Sequence, residues 1–130
     1  MNAVCDTLII AMARYLSTLE WRVALIRANP SRQLGTQTAT FAELGGDEVR
    51  GAGYKSGGAA LANARIERRE ERVCLNFDSV HWRDCDFAAS GALIYCPALD
   101  IAGAVLDFGG IYAAQSGHPF YLPMDCPIRF

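Results

Sequence analysis

Two short stretches of this 130-residue chain contain the residue types that perform chemistry in proteins. Residues 51–58, with the sequence GAGYKSGG, combine four glycines with a lysine, as do loops that wrap a phosphate group. Residues 81–85, with the sequence HWRDC, place a histidine four positions before a cysteine, and such a pair can act as base and nucleophile. Phosphate binding and cysteine-dependent hydrolysis are therefore the first two chemistries to test.

The spacing of the glycine stretch argues against phosphate binding. A Walker loop has the pattern G-x-x-x-x-G-K-[ST] before a helix, whereas Lys55 precedes the Gly57-Gly58 pair and a strand-like segment follows. The dinucleotide-binding pattern G-x-G-x-x-G also fails, because Ser56 stands where the third glycine belongs. The sequence instead predicts a tight turn in which one or two glycines take positive φ, an architectural role.

The histidines and carboxylates form no catalytic or metal-binding pattern. Four residues along an extended strand separate the side chains of His81 and Cys85 by roughly 13 Å, too far for a direct hydrogen bond. His118 is the only other histidine. Five aspartates in the second half of the chain lack the spacing of a calcium loop, namely Asp78, Asp84, Asp86, Asp100 and Asp107. No catalytic residue, cofactor or metal site is predicted.

The chain contains five cysteines, an odd number, and no two of them have C-x-x-C spacing. They are Cys5, Cys74, Cys85, Cys96 and Cys126. Each is predicted to be a buried thiol, because free cysteine behaves as a small apolar residue. A disulfide within the chain or between subunits stays open, and it would need an oxidising environment after assembly.

Composition narrows the class of protein. The length predicts a single domain spanning residues 1–130. A net charge of −2 with 52% hydrophobic residues lacks the basic footprint of a nucleic-acid-binding protein. No apolar run reaches the ~18 residues of a membrane helix, and the N-terminal stretch lacks the features of a signal peptide. We therefore expect a protein made in the cytoplasm, with neither nucleic acid nor membrane as a partner.

Hydrophobic periodicity predicts one helix followed by strands. An apolar stripe with helical spacing predicts an amphipathic helix over about residues 3–18, and its members are Leu8, Ile9, Met12, Tyr15, Leu16 and Leu19. The next segment, EWRVALIRA, predicts a strand that is partly covered on both faces. Residues 31–58 have a weak pattern and predict an ordered but irregular excursion, in which TFAEL forms either a turn of helix or a strand edge.

The β-rich body is predicted to span about residues 20–130. Residues 61–68 and 72–77 predict a hairpin with an Arg-Glu tip, and a short mixed segment follows it. The runs AASGALIYC and IAGAVLDF predict a second hairpin, residues 109–117 a loop, and PFYLPMDCPIRF an extended end suited to a sheet edge. The predicted fold is mainly β (α+β): a small antiparallel β-sandwich or barrel with one N-terminal amphipathic helix.

The order of turn and aromatic motifs over residues 48–130 resembles small tailed-bacteriophage virion proteins, a group that includes capsid-decoration and head-tail accessory β-domains. The matching positions are Gly51, Gly53, Tyr54, Gly57, Gly58, Leu61, Phe77, Asp78, Val80, Trp82, Ala92, Tyr95, Asp107, Phe108, Gly109 and Gly110. None of these motifs is catalytic. The resemblance implies structural turns at Gly51–Gly58 and at Gly109-Gly110, with Tyr54 packing over the first. The five cysteines depart from that group, which is poor in cysteine.

The resemblance implies a non-enzymatic virion structural protein, made in the host bacterial cytoplasm and attached in many copies to the capsid, neck or tail. Its partners would be the major capsid, neck or tail proteins, in a homo-oligomer or symmetric assembly. The N-terminal helix and residues 119–130 are the predicted docking elements. The predicted interface residues are Leu8, Met12, Trp82, Tyr112, Phe120 and Phe130.

Two alternatives remain. A glycan-binding or host-surface-binding tip domain of a phage fibre would use an exposed Trp82 or Tyr112. A small cysteine/histidine enzyme would need His81 or a cysteine with a strongly perturbed pKa in a pocket.

Overall fold

The computed structural model describes residues 4–130 of the chain, so the predicted helix start at Ala3 lies outside the described residues. In this range one α-helix is followed by a 3₁₀ helix and seven strands. Their bounds are α1 Asp6–Ser17, β1 Arg22–Arg27, the 3₁₀ helix Phe41–Asp47, β2 Ala59–Ala60, β3 Arg65–Arg69, β4 Arg72–Asn76, β5 Val80–Cys96, β6 Ile101–Leu122 and β7 Ile128–Arg129.

The strands form two antiparallel sheets, one with the order β2-β1-β5-β6 and one with the order β3-β4-β7. Val23 and Leu25 of β1 belong to the same buried cluster as Leu75 of β4 and Ile128 of β7. The two sheets therefore share one core, as in a β-sandwich. The predicted mainly β fold with one N-terminal helix is confirmed.

Strand β1 is covered on both faces, as its sequence predicts. Val23 and Leu25 point into the main core, whereas Ala24 and Ile26 join a second cluster with Leu44 of the 3₁₀ helix. Because both faces are buried, the strand is a run of apolar residues and does not alternate with polar ones.

The predicted second hairpin is present, but it is much longer than predicted. Strand β5 includes the short mixed segment before Ala88, and β6 includes residues 109–117, which are therefore not a separate loop. The register moves from Gly91↔Asp107 to Ala89↔Tyr112, so β6 has extra residues opposite β5. A bulge with positive φ at Gly109 accommodates these residues. A second bulge, with positive φ at Gly117, lies between the pairs Phe87↔Ala114 and Cys85↔His118 and likewise lets the pairing continue.

The first hairpin has its tip where the sequence predicts it. Glu70 and Glu71 both have positive φ and join β3 to β4 in a two-residue turn. Strand β3 begins at Arg65 and not at Leu61, because the preceding residues run beside β1, where the Leu61 amide donates to the Trp21 carbonyl. The C-terminal strand β7 pairs with β4 and is the edge strand expected there.

Candidate functional site

A buried carboxylate, Glu48, organises the glycine stretch. It accepts hydrogen bonds from the Tyr54 hydroxyl at 2.5 Å, the Gly57 amide at 2.7 Å and the Ser56 hydroxyl at 3.1 Å. Sequence patterns did not reveal Glu48, because its three partners follow it within nine residues but converge only when the loop closes. The Gly57 amide already donates to the buried Glu48 carboxylate, so it is not free to bind a phosphate. The loop is therefore unsuited to bind a second anion.

The loop is tied to the first sheet through two tyrosines. The Tyr54 hydroxyl accepts from the Leu25 amide at 3.0 Å, and the Tyr95 hydroxyl donates to the Gly57 carbonyl at 2.5 Å. Burial raises the pKa of Tyr54 above its ordinary value, and the hydrogen bond to Glu48 raises it further. Tyr54 therefore keeps its proton and remains a donor to the carboxylate.

Glycine is required at Gly58, where the loop lies directly on β1. The residue has φ +78°, and a Cβ atom there would lie 1.8 Å from the Val23 carbonyl oxygen. Two other predicted turn glycines of this stretch, Gly51 and Gly53, lie against the backbone of β5, whereas an added Cβ at Gly57 would lie 3.5 Å from the Tyr95 hydroxyl. Gly109 and Gly110 belong to the β6 bulge, where an added Cβ would contact no atom within 4 Å.

The histidine and cysteine side chains do not form a nucleophile and base. Cys85 is fully buried, and burial raises the pKa of its thiol. His118 stands opposite Cys85 in the strand register but is exposed, whereas His81 packs against Tyr121 with ring centroids 4.6 Å apart. A thiol with a raised pKa in the core is a poor nucleophile.

The cysteines differ from the prediction of five buried thiols. Cys74 and Cys126 form a disulfide with their Cα atoms 5.6 Å apart, and Cys5 is exposed. Cys85 and Cys96 are buried free thiols. Next to the disulfide, the Cys126 amide donates to the Asn76 side-chain oxygen at 2.9 Å, which also holds the C-terminal segment against β4.

A second carboxylate, Asp47, fixes the segment after β1. It accepts from the amide and hydroxyl of Ser31, both at 2.9 Å, from the Arg32 amide at 2.9 Å and from Arg27 at 3.1 Å. These bonds, chiefly the one from the Ser31 amide, hold the pKa of Asp47 well below its ordinary value of 3.8. The depressed pKa links the fold to pH.

We expect acid to destabilise the protein partly through Asp47. A carboxyl with a depressed folded-state pKa stabilises the fold above its unfolded pKa, and this stabilisation is lost as the pH falls towards the lower folded value. In urea unfolding, the stability of the wild-type protein should therefore fall more steeply below pH 3.8 than that of Asp47→Asn. Glu43 and Glu67 also have lowered pKa values. Because the wild-type protein and Asp47→Asn both contain these two carboxyls, they do not account for a difference between the two pH profiles. Parallel pH profiles would contradict the prediction.

Helix α1 buries one side of its apolar stripe and exposes the other. Ala13 is fully buried and Ile9 and Leu16 are half-buried, on the side that faces the domain. Three stripe residues remain largely in solvent, with exposed fractions of 56% for Leu8, 48% for Met12 and 58% for Tyr15. Together with the exposed Val4 they form what we call the helix stripe.

A second apolar surface lies along β6, beside the residues by which this strand packs on the main core. It is a groove of about 540 Å³ whose lining has no charged side chain, formed by Leu106, Phe108, Tyr112, Ala113, Pro119, Phe120, Tyr121, Leu122 and Pro123. Tyr112 and Tyr121 are 56% and 55% exposed. We call this surface the β6 groove.

The remaining predicted interface residues contribute little surface. Trp82 and Phe120 are buried and pack against each other with ring centroids 5.9 Å apart. Trp82 therefore offers little ring surface to a partner or a glycan, and Phe120 reaches the surface only in the lining of the β6 groove. Phe130 is half-buried on the main core, and its amide donates to the Val73 carbonyl at 2.9 Å. Phe130 thus packs within its own domain.

The described residues offer no further chemical centre. Among residues 4–130, no three His, Cys, Asp or Glu side chains come together in a way that could hold a metal ion. In the same range, no helix has both the length and the apolar character needed to cross a membrane. No family model, curated protein or solved structure matches the chain. The two apolar surfaces are thus the features on which a function can be argued.

Proposed function

We propose that this chain is a non-enzymatic structural protein of a bacteriophage virion, attached in many copies to the capsid, neck or tail. The ordered motifs of residues 48–130 support the phage origin through the resemblance described above. The observation that supports attachment is the helix stripe, an exposed apolar face on the element that the sequence predicts for docking. The protein would be made in the host bacterial cytoplasm and then join the particle.

The physical basis of attachment is burial of the helix stripe. Burial contributes roughly 25 cal/mol for each Å² of apolar surface removed from water, so half-exposed Leu8, Met12 and Tyr15 can supply a modest affinity in one contact. Many copies on a symmetric particle act together, and multivalency turns such weak contacts into durable attachment. The stripe requires no catalytic group, in accordance with a structural role.

We expect Leu8→Asp to abolish incorporation into particles, because a charge in the centre of the stripe must be desolvated on docking. The matched control is Thr7→Asp, which places the same charge on an exposed position of the same helix turn but outside the stripe. Quantitative mass spectrometry of gradient-purified particles from the encoding phage would count each variant against the major capsid protein. Circular dichroism would establish that both variants fold.

The copy number discriminates between positions in the particle. Hundreds of copies would indicate a capsid-covering or tail-length role, and a few to some dozens would indicate the neck, baseplate or fibres. Absence of the wild-type chain from particles would reject the proposal. Equal incorporation of Leu8→Asp and Thr7→Asp would leave the virion role but remove the helix stripe as its docking surface.

A glycan-binding role has weaker support. Tyr112 is exposed in the β6 groove and can stack on a sugar, but the groove lining has no charged or amide side chain to bond the hydroxyl groups. Binding of the wild-type chain to a glycan array, with loss in Tyr112→Ala, would favour this role.

A further inference from the structure

Strand β6 has a long edge without a partner strand. It is the last strand of its sheet and pairs only with β5 among the described strands. Near its start the Ala102 amide donates to the Ala39 carbonyl, so a loop covers that end. Across residues 110–122 the described part of the chain provides no backbone-to-backbone hydrogen bond except to β5. The outer amides and carbonyls of this stretch therefore face outward on both sides of the bulge at Ser116-Gly117, except at Pro119, which has no amide hydrogen.

This edge lacks the charges that usually protect such strands. Residues 108–124 contain no Asp, Glu, Lys or Arg, whereas free edges in soluble proteins generally have charged residues that prevent pairing. Ile111, Tyr112 and Tyr121 are exposed beside it, and the β6 groove runs along its inner side. Unpaired backbone next to an apolar groove is the surface that binds an added strand.

We propose that two copies of this chain pair through their β6 edges, antiparallel and related by a two-fold axis near Gly117. A two-fold pair brings the same surface together from both copies. Because residues 108–124 contain no Asp, Glu, Lys or Arg, this pairing places no such charges opposite each other, and His118 falls opposite Ser116 of the second copy. Centred on Gly117, it sets Tyr112 opposite Leu122 of the second copy and Ala114 opposite Phe120, so apolar residues meet apolar residues.

The size of the edge sets the expected strength of the dimer. The free stretch runs opposite β5 from Val80 to about Ala89, which at ~3.4 Å per residue is roughly 30 Å. With a sheet depth of ~10 Å, the pair would bury on the order of 600 Å² in total, a value in the range of weak or transient interfaces. We therefore expect a reversible dimer that strengthens where copies are concentrated. The inference does not depend on attachment to a virion.

Sedimentation over a range of protein concentrations tests the proposal. The wild-type protein should shift from monomer to dimer, and Tyr112→Lys should weaken the dimer by about tenfold or more, because its ammonium must be desolvated at the edge. Tyr15→Lys is the matched control, since Tyr15 is exposed to a similar extent on the helix stripe, 58% against 56% for Tyr112. A wild-type protein that remains monomeric, or a dimer disrupted by Tyr15→Lys but not by Tyr112→Lys, would overturn it.

Hydrogen exchange gives a second readout that needs no variant. If the β6 edges pair, amides among residues 110–122 should become more protected as the wild-type protein is concentrated, while amides of α1 should not change. Greater protection in α1 with none in β6 would assign the contact to the helix stripe and reject edge pairing. Tyr121→Lys, which places the charge at another exposed position of the same edge, should reproduce the effect of Tyr112→Lys if the latter variant folds poorly.

Discussion

Gly58→Ala is expected to destabilise the domain by ~3–5 kcal/mol, a large part of the ~5–15 kcal/mol that holds a typical domain folded. The new methyl carbon would lie 1.8 Å from the Val23 carbonyl oxygen, and the residue has φ +78°. Backbone atoms cannot move aside like the end of a flexible side chain, so the loop must leave β1. That movement would also break the bonds from Tyr54 and Gly57 to Glu48.

Gly109→Ala is the matched control for this effect. Gly109 has nearly the same φ, +72°, but an added Cβ would meet no atom within 4 Å. It should therefore show only the cost of a left-handed alanine, ~1–2 kcal/mol. Urea unfolding followed by circular dichroism measures both variants, and the difference isolates the contact with β1. Similar losses in the two variants would show that backbone conformation alone accounts for the effect and that the close approach is unimportant.

The elements that are set by local patterns could be predicted from the sequence. The helical spacing of Leu8 to Leu19 predicted α1, and a run of apolar residues on both faces predicted β1. Both hairpins followed from strand patterns on either side of turn residues. In each case a single segment and its immediate neighbours contain the information, because periodicity of 2 or 3.6 residues depends only on which face is buried.

Residues 109–117 show why local signals can mislead. Glycine, serine and glutamine in this stretch are typical of a loop, but the segment pairs with β5 through bulges. A bulge, like a loop, needs residues that tolerate positive φ, and Gly109 and Gly117 have positive φ in the bulges of β6. The same residue types therefore suit both structures. Distinguishing the two requires the partner strand, which a sequence pattern does not identify.

The contacts that define the candidate sites depend on tertiary structure. Glu48 bonds to a loop that folds back on it, and Asp47 bonds to residues 31 and 32 across the end of β1. The helix stripe illustrates the same limit. Periodicity predicted an apolar face, but only the position of the sheets decides that Leu16 packs inward while Leu8 and Tyr15 remain exposed. The surfaces proposed for function are thus visible only after folding.

Loss of the Cys74–Cys126 disulfide is expected to destabilise the protein by about 4 kcal/mol. The bond joins residues 52 positions apart, and closing a loop of this length restricts the unfolded chain by about that amount in the chain-entropy treatment. Urea unfolding of Cys126→Ala should therefore give a lower midpoint than the wild type. Under reducing conditions the wild type should approach the variant. If the chain is made in a reducing cytoplasm, the disulfide would form and add this stability only after the protein has reached an oxidising environment.

Cys5→Ala is the matched control, since Cys5 is exposed and unbonded and its replacement should not change the unfolding midpoint in either condition. Titration of thiols in denaturant provides an independent count. Three of the five cysteines should react without reductant, namely Cys5, Cys85 and Cys96, and all five should react after reduction. Five reactive thiols in protein purified under oxidising conditions, with a midpoint insensitive to reductant, would contradict the disulfide. The C-terminal segment would then be held to β4 by its pairing and by the Asn76 hydrogen bond alone.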